Sequence, residues 1–222
     1  MKLMLIGTLL IFALVQMAFA TPELQLTSGT SSATVVGSGS TVTYSNSNFD
    51  GWNILVVFGA SNSPNLSGAN GLYGIDITSL TATCATPTLC SGHPLDIFLS
   101  DTGFTQAVPA GGFQSDYSST QTGGSTWQKA WDDTTNTIFG QGTYIGEVGP
   151  FTGTNHGSVR GGGPAGPSAY SLTIEDQFAS GSAGASFSTD GDISGVPEPG
   201  AMILLGTVLV FCAGKLRRRA QA

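Results

Sequence analysis

Basic residues are nearly missing from most of this chain. Only seven of its 222 residues are Lys or Arg, and four of those seven, Lys215, Arg217, Arg218 and Arg219, crowd together near the C-terminus. Charge of either sign is scarce: 9% of residues are charged, against roughly 25% in an ordinary soluble protein. Between residues 21 and 195, thirteen acids face two bases, Lys129 and Arg160, for a net charge of −11. Affinity for nucleic acid comes mainly from basic contacts with phosphate, so this body excludes nucleic acid as a partner. The same acidity favours staying dispersed outside a cell.

Helix signal is lacking too. Gly (32 residues), Ser, Thr and Asn interrupt nearly every stretch. Short alternating runs recur instead, the mark of half-buried strands. Val42 and Tyr44 share one face of their run. So do Tyr73, Ile75 and Ile77, opposite Asp76 and Thr78. Leu95, Ile97 and Leu99 form a third set, beside Asp96, and Tyr170, Leu172 and Ile174 a fourth, opposite Thr173 and Glu175. The continuously apolar "NILVVFGA" at 53–60 reads as a central strand buried on both faces. "TIFGQGTYIGEV" at 137–148 reads as one or two strands and "ASFSTDGDIS" at 185–194 as the last. "STWQKAWDD" suits either a short helical turn or a strand. Asp50-Gly51, Asn70-Gly71 and Asp190-Gly191 tolerate positive φ and suit tight turns. No internal repeat at a fixed period is visible. Eight to ten short strands are expected (a count read from this patterning, ~8–10). The expected fold is all-β: a single antiparallel β-sandwich or jelly-roll-like domain over residues 21–195.

Cysteine is equally sparse. Cys84 and Cys90 are the two in the body, in "CATPTLCSG", where Pro87 bends the span. In an oxidising compartment they make one small-loop disulfide. A pair of metal ligands is the alternative, but no His pair accompanies them. Cys212 lies in the C-terminal apolar run and is expected to be unpaired.

The familiar catalytic motifs are missing: there is neither H-E-x-x-H nor G-x-S-x-G. His93 and His156 read as exposed loop residues. Asp132-Asp133 and Asp190-x-Asp192 are the carboxylate pairs that could hold Ca²⁺, although the EF-hand spacing is absent. Trp52, Trp127 and Trp131 are candidates for a sugar-stacking platform if they are exposed, and core residues if they are not. No catalytic, cofactor or metal site is assigned, and the chain is not expected to be an enzyme.

What the chain does have lies at its ends. Lys2, an apolar core from Leu3 to Val15, and the small-x-small triplet Ala18-Phe19-Ala20 form a secretory signal peptide over residues 1–20. An uncleaved anchor is the alternative. At the other end Val196-Pro197-Glu198-Pro199 precedes an apolar run over residues 200–214, and then the basic cluster. As a helix the run spans about 22 Å, short of the roughly 30 Å hydrocarbon core. Snorkelling by Lys215 and local thinning let it cross. Arginines stay cytoplasmic, which leaves the body on the outer side of the inner membrane.

Residues 196–219 resemble the PEP-CTERM sorting signal of Gram-negative bacteria. Val196, Pro197, Glu198 and Pro199 match its motif, residues 200–214 its short transmembrane helix, and Arg217 to Arg219 its Arg-rich end. Gly200 departs from the common Ser or Ala but is also small. The resemblance implies that an exosortase, a membrane transpeptidase-like cysteine protease, recognises and cleaves the chain near the motif. It also implies transfer from the inner membrane to the cell surface or matrix. Family members are often linked to exopolysaccharide and biofilm matrix. A structural or exopolysaccharide-associated matrix protein is therefore the first expectation. A carbohydrate- or Ca²⁺-binding module is the second, and a secreted hydrolase the third.

Overall fold

The computed structural model describes residues 21–66, 73–108, 111–163, 168–182 and 184–196. Within them the chain makes strands β1 (Glu23–Ser28), β2 (Ser31–Val36), β3 (Thr41–Phe49), β4 (Trp52–Ser61) and β5 (Tyr73–Cys84). The single helical turn α1 (Pro87–Cys90) follows. Next come β6 (Leu95–Phe104), β7 (Phe113–Thr122), β8 (Gly124–Asp133) and β9 (Thr143–Phe151). The last three are β10 (Thr154–Gly161), β11 (Tyr170–Ser180) and β12 (Ser186–Gly195). All pairings are antiparallel, in two six-stranded sheets ordered β2-β1-β6-β11-β8-β9 and β10-β7-β12-β5-β4-β3. The pairs β5–β12, β6–β11, β7–β10 and β8–β9 nest inside one another, the pairing scheme of a jelly roll. Thus the expected all-β sandwich is found.

Alternation builds the core. Leu24 and Leu26, Ile75 and Ile77, Leu95, Ile97 and Leu99, and Leu172, Ile174 and Phe178 all turn inward and are buried. Each such side chain contributes roughly 1.5–3 kcal/mol by leaving water. The Asp50-Gly51 turn joins β3 to β4 with φ of 49° and 87°, the positive values that this turn chemistry supplies. Cys84 and Cys90 are disulfide-bonded, with their Cα atoms 5.8 Å apart.

The structure corrects several expectations. The run 53–60 is not a central strand buried on both faces. It lies within β4, next to the edge strand β3, and Leu55 on its outer side is 58% exposed. Asp190-Gly191 is no turn but the middle of β12, and His156 lies on β10 rather than in a loop. Of residues 137–148 only the part from Thr143 is strand. Asp76 and Glu175 sit on outer faces yet are buried, at 5% and 8% exposure. The Tyr73 side chain and Asn70-Gly71 lie outside the described residues. So do residues 1–20 and 197–222, and with them Pro197, Glu198, Pro199, Cys212, Lys215, Arg217, Arg218 and Arg219. Among the described residues no helix is long and apolar enough to cross a membrane.

Part of the interior is polar, which the alternation did not reveal. On β7 the inward residues after Phe113 are Ser115, Tyr117, Ser119 and Gln121, and on β8 they include Thr126 and Gln128. Asp176, between Ile174 and Phe178 on the inward side of β11, is fully buried. Gln128 Nε2 donates to Asp176 Oδ1 at 3.1 Å and Thr189 Oγ1 to Asp176 Oδ2 at 3.2 Å. Ser115 Oγ donates to Gln128 Oε1 at 2.7 Å, and the Tyr117 and Thr126 hydroxyls bond to each other. Burial pushes the Asp176 carboxyl up to about 7, against the opposing pull of the Gln128 and Thr189 bonds.

Candidate functional site

On β8, inward Thr126, Gln128 and Ala130 alternate with outward Trp127, Lys129 and Trp131. The usual rule of apolar inside and polar outside is inverted along this strand. Trp127 and Trp131 are half-buried on the outer face of the first sheet. Each cross-strand register brings further groups beside them. Trp131 faces Tyr144 of β9, ring centroids 5.7 Å apart at 47°, and Tyr144 is 49% exposed. Lys129 lies between Glu147 of β9 and Glu175 of β11, with its Nζ 3.8 Å from Glu175 Oε1. Trp127 faces Gln177 of β11, whose amide donates to Asp96 of β6. Gly149 on β9 leaves room for the Trp127 Cβ, which any side chain at 149 would crowd.

Electrostatics tie these groups into one patch. Burial raises the Glu175 carboxyl, partly opposed by Lys129 and reinforced by Asp96 and Glu147. Burial also raises Asp96, opposed by the Gln177 bond and by Lys129. The Tyr144 hydroxyl is raised by burial first, then by Glu147 and Glu175. The face therefore offers aromatic rings beside hydrogen-bonding groups of both kinds, under a negative field. A sugar presents the complementary chemistry: apolar C–H faces for stacking and hydroxyls that donate and accept.

The other candidates fare differently. Trp52 is no platform residue: it is fully buried against Phe187, ring centroids 5.8 Å apart, and its Nε1 donates to the His93 carbonyl at 3.2 Å. His93 is not a free loop residue, since its Nδ1 lies 2.7 Å from Asp50 Oδ2. Ser28 Oγ donates to that same Asp50 oxygen at 3.3 Å. Hydroxyl and imidazole thus meet on one carboxylate instead of on each other, which is not the geometry of an activated nucleophile.

Asp132 and Asp133 point apart. Asp132 accepts the Gly163 N–H at 3.2 Å in the interior, and Asp133 accepts the Thr135 N–H at 2.9 Å in the following turn. Asp190 and Asp192 project from the outer face of β12. There Asp192 lies directly opposite Asp76 on β5 and Asp116 on β7. Burial first, and then neighbouring aspartates, raise Asp76 and Asp192 each to about 7. Beside this row is a groove of about 500 Å³, lined by Ser118, Thr120, Thr154, His156, Ser188 and Asp190 among others, with no Trp, Tyr or Phe in its wall. Among the described residues no group of three or more His, Cys, Asp or Glu side chains is arranged to hold a metal ion.

Lys129, Tyr144, Glu147 and Glu175 were not singled out from the sequence as site residues. The spacing Trp127-x-Lys129-x-Trp131, read at period two, would have put three of the site's residues on one strand face.

No family model matches the chain, and no curated protein matches it. Nine chains of solved structures do match. One is the enzymatically active domain of bacteriophage CBA120 tailspike protein 4, at 14% identity and a TM-score of 0.39, covering 70% of this chain and 19% of that one. This chain thus corresponds to about a fifth of that tailspike chain. Another is TmCBM61 in complex with beta-1,4-galactotriose, at 13% identity and a TM-score of 0.31, covering 71% and 88%. A third is the K1 cleaved adhesin domain of Lys-gingipain from Porphyromonas gingivalis W83, at 15% identity and a TM-score of 0.33, covering 71% and 99%. Scores this low assign neither a family nor a ligand.

Proposed function

We propose that this protein is an exported carbohydrate-binding protein that holds polysaccharide on the outer face of its first sheet. The observation that carries the reading is the grouping of Trp127, Trp131 and Tyr144 around Lys129 and Glu175 on one solvent-facing surface. Large aromatic side chains normally go to the core. Here β8 turns polar residues inward and displays its two Trp outward, a choice that costs apolar burial and is repaid by a ligand. Net charge favours uncharged sugars over sulfated or phosphorylated ones.

Delivery is a second part of the proposal. Residues 1–20 export the chain, and Val196 to Pro199, residues 200–214 and the basic end present it to an exosortase at the inner membrane. Support comes from the order of these segments in the sequence. Val196, the first residue of the motif, donates its N–H to the Gly112 carbonyl at 3.0 Å.

The test is binding of the full chain to a panel of neutral and acidic polysaccharides, with and without EGTA. Retention by neutral polysaccharide that is lost in Trp127→Ala/Trp131→Ala, and unaffected by EGTA, is expected. Equal retention of the double variant and the wild type would refute the platform.

A further inference from the structure

Building on the carbohydrate reading, we infer that the ligand is a linear neutral glycan lying lengthwise along β8, from Trp127 to Trp131, rather than a single sugar or a chain crossing the strands. The two Trp are four residues apart on one strand, so at roughly 3.3 Å per residue their Cα atoms are separated by about 13 Å. One pyranose ring cannot touch both. Midway between them lies Lys129, flanked by Glu147 and Glu175 on the two neighbouring strands. A sugar on Trp127 and another on Trp131 leave the intervening part of the glycan over this polar centre. Lys129 supplies donors and the two carboxylates supply acceptors for its hydroxyls. Tyr144 widens the Trp131 end into a two-ring shelf.

A path across the strands is poorly furnished. From Trp127 it meets Gln177 and then Asp96, which are already bonded to each other, and then Thr27. The competing aromatic is Phe98, half-buried on β6 and separated from Lys129 by Glu175. The charge arrangement selects against acidic sugars, because the one cation of the centre is outnumbered by Glu147, Glu175 and nearby Asp96.

The experiment titrates the full chain with neutral oligosaccharides of increasing length, drawn from whichever polysaccharide the panel retains. Affinity should climb with length and level off once both Trp are engaged. Trp127→Ala and Trp131→Ala should each cost about tenfold on the long ligand, from the loss of one ring contact, and flatten the length dependence. Leu55→Ala, on the outer face of the other sheet, should bind like wild type, and circular dichroism should show both Trp variants folded. A length-independent affinity would overturn the lengthwise path while leaving carbohydrate binding intact. So would Phe98→Ala flattening the length dependence while Trp131→Ala does not. If no oligosaccharide or polysaccharide binds, the carbohydrate reading itself fails, and the lengthwise path with it.

Discussion

Gly191 on β12 lies directly against the side-chain amide of Gln128 on β8, so that a Cβ at 191 would occupy the space of the Gln128 Nε2. The missing side chain leaves room for the Gln128 amide, which donates to Asp176 on the neighbouring strand of its own sheet and accepts from Ser115 of the facing sheet. Gly191→Ala should push the amide aside and break that bond, leaving a fully buried carboxyl short of a partner. Overpacking and a lost buried bond each cost about 1–3 kcal/mol. Urea unfolding should show a loss of roughly 2–4 kcal/mol. An unchanged midpoint would mean that the Gln128–Asp176 bond does not depend on the space at position 191.

Acidic pH should stabilise this fold. Burial pushes the Asp176 carboxyl up to about 7 in the folded chain, against an ordinary value of 3.8. Between those values the unfolded chain binds fewer protons than the native one, so stability is fully present below pH 3.8 and is lost as pH rises through 7. At about 1.4 kcal/mol per pH unit, Asp176 alone accounts for a loss of roughly 4 kcal/mol. The melting temperature should fall between pH 4.5 and 7.5, and Asp176→Asn should blunt the fall. A melting temperature that rises over this range would refute the assignment.

Asp192 faces Asp76 on one side and Asp116 on the other. Directly opposed like charges destabilise a sheet. Asp192→Asn should therefore stabilise the protein by about 1 kcal/mol at pH 7.5, and the gain should vanish at pH 4.5, where Asp76 and Asp192 are protonated. A gain of equal size at both values would point to packing instead of charge.

Register can be checked on β6. Ile97 is fully buried and Asp96 lies on the outer face. Ile97→Asp should abolish soluble expression, because an unpaired buried charge costs several kcal/mol. Asp96→Asn should leave expression unchanged. Equal sensitivity at the two positions would show the register to be wrong.

Processing tests the C-terminal signal. With Pro197, Glu198 and Pro199 all changed to Ala, full-length protein should accumulate in the inner membrane. Trimming and release like wild type would exclude recognition of the motif.

What was legible in the sequence follows from the physics of each strand. Ile75/Ile77, Leu95/Ile97/Leu99 and Leu172/Ile174 alternate against polar neighbours, and β5, β6 and β11 formed where that pattern stood. Asp176 shares the parity of Leu172 and Ile174, yet its charge argued for the outside. Only the partners Gln128 and Thr189, 48 and 13 residues away in the chain, make burial tolerable, and no local pattern encodes them. On β8 the polarity is inverted, so the Trp pair suited a helical turn as well as a strand. β1 and β2 went unassigned because each is only six residues long, although Leu24 and Leu26 of β1 alternate with polar neighbours. In "NILVVFGA", β4 is apolar throughout but shows Leu55 to solvent, which hydrophobicity alone could not foretell.

Val196, held to Gly112, gives the protein a mechanical character. A pull on the chain beyond Val196 would enter the body at the end of β12, and β12 lies between β5 and β7, ten residues long. Hydrogen bonds in an antiparallel ladder stand perpendicular to the strand. Tension directed along β12 therefore loads both ladders in shear, so that many bonds must rupture together rather than one after another as in a zipper. A body loaded this way resists unfolding under tension, and its lifetime is set by the unfolding rate under load.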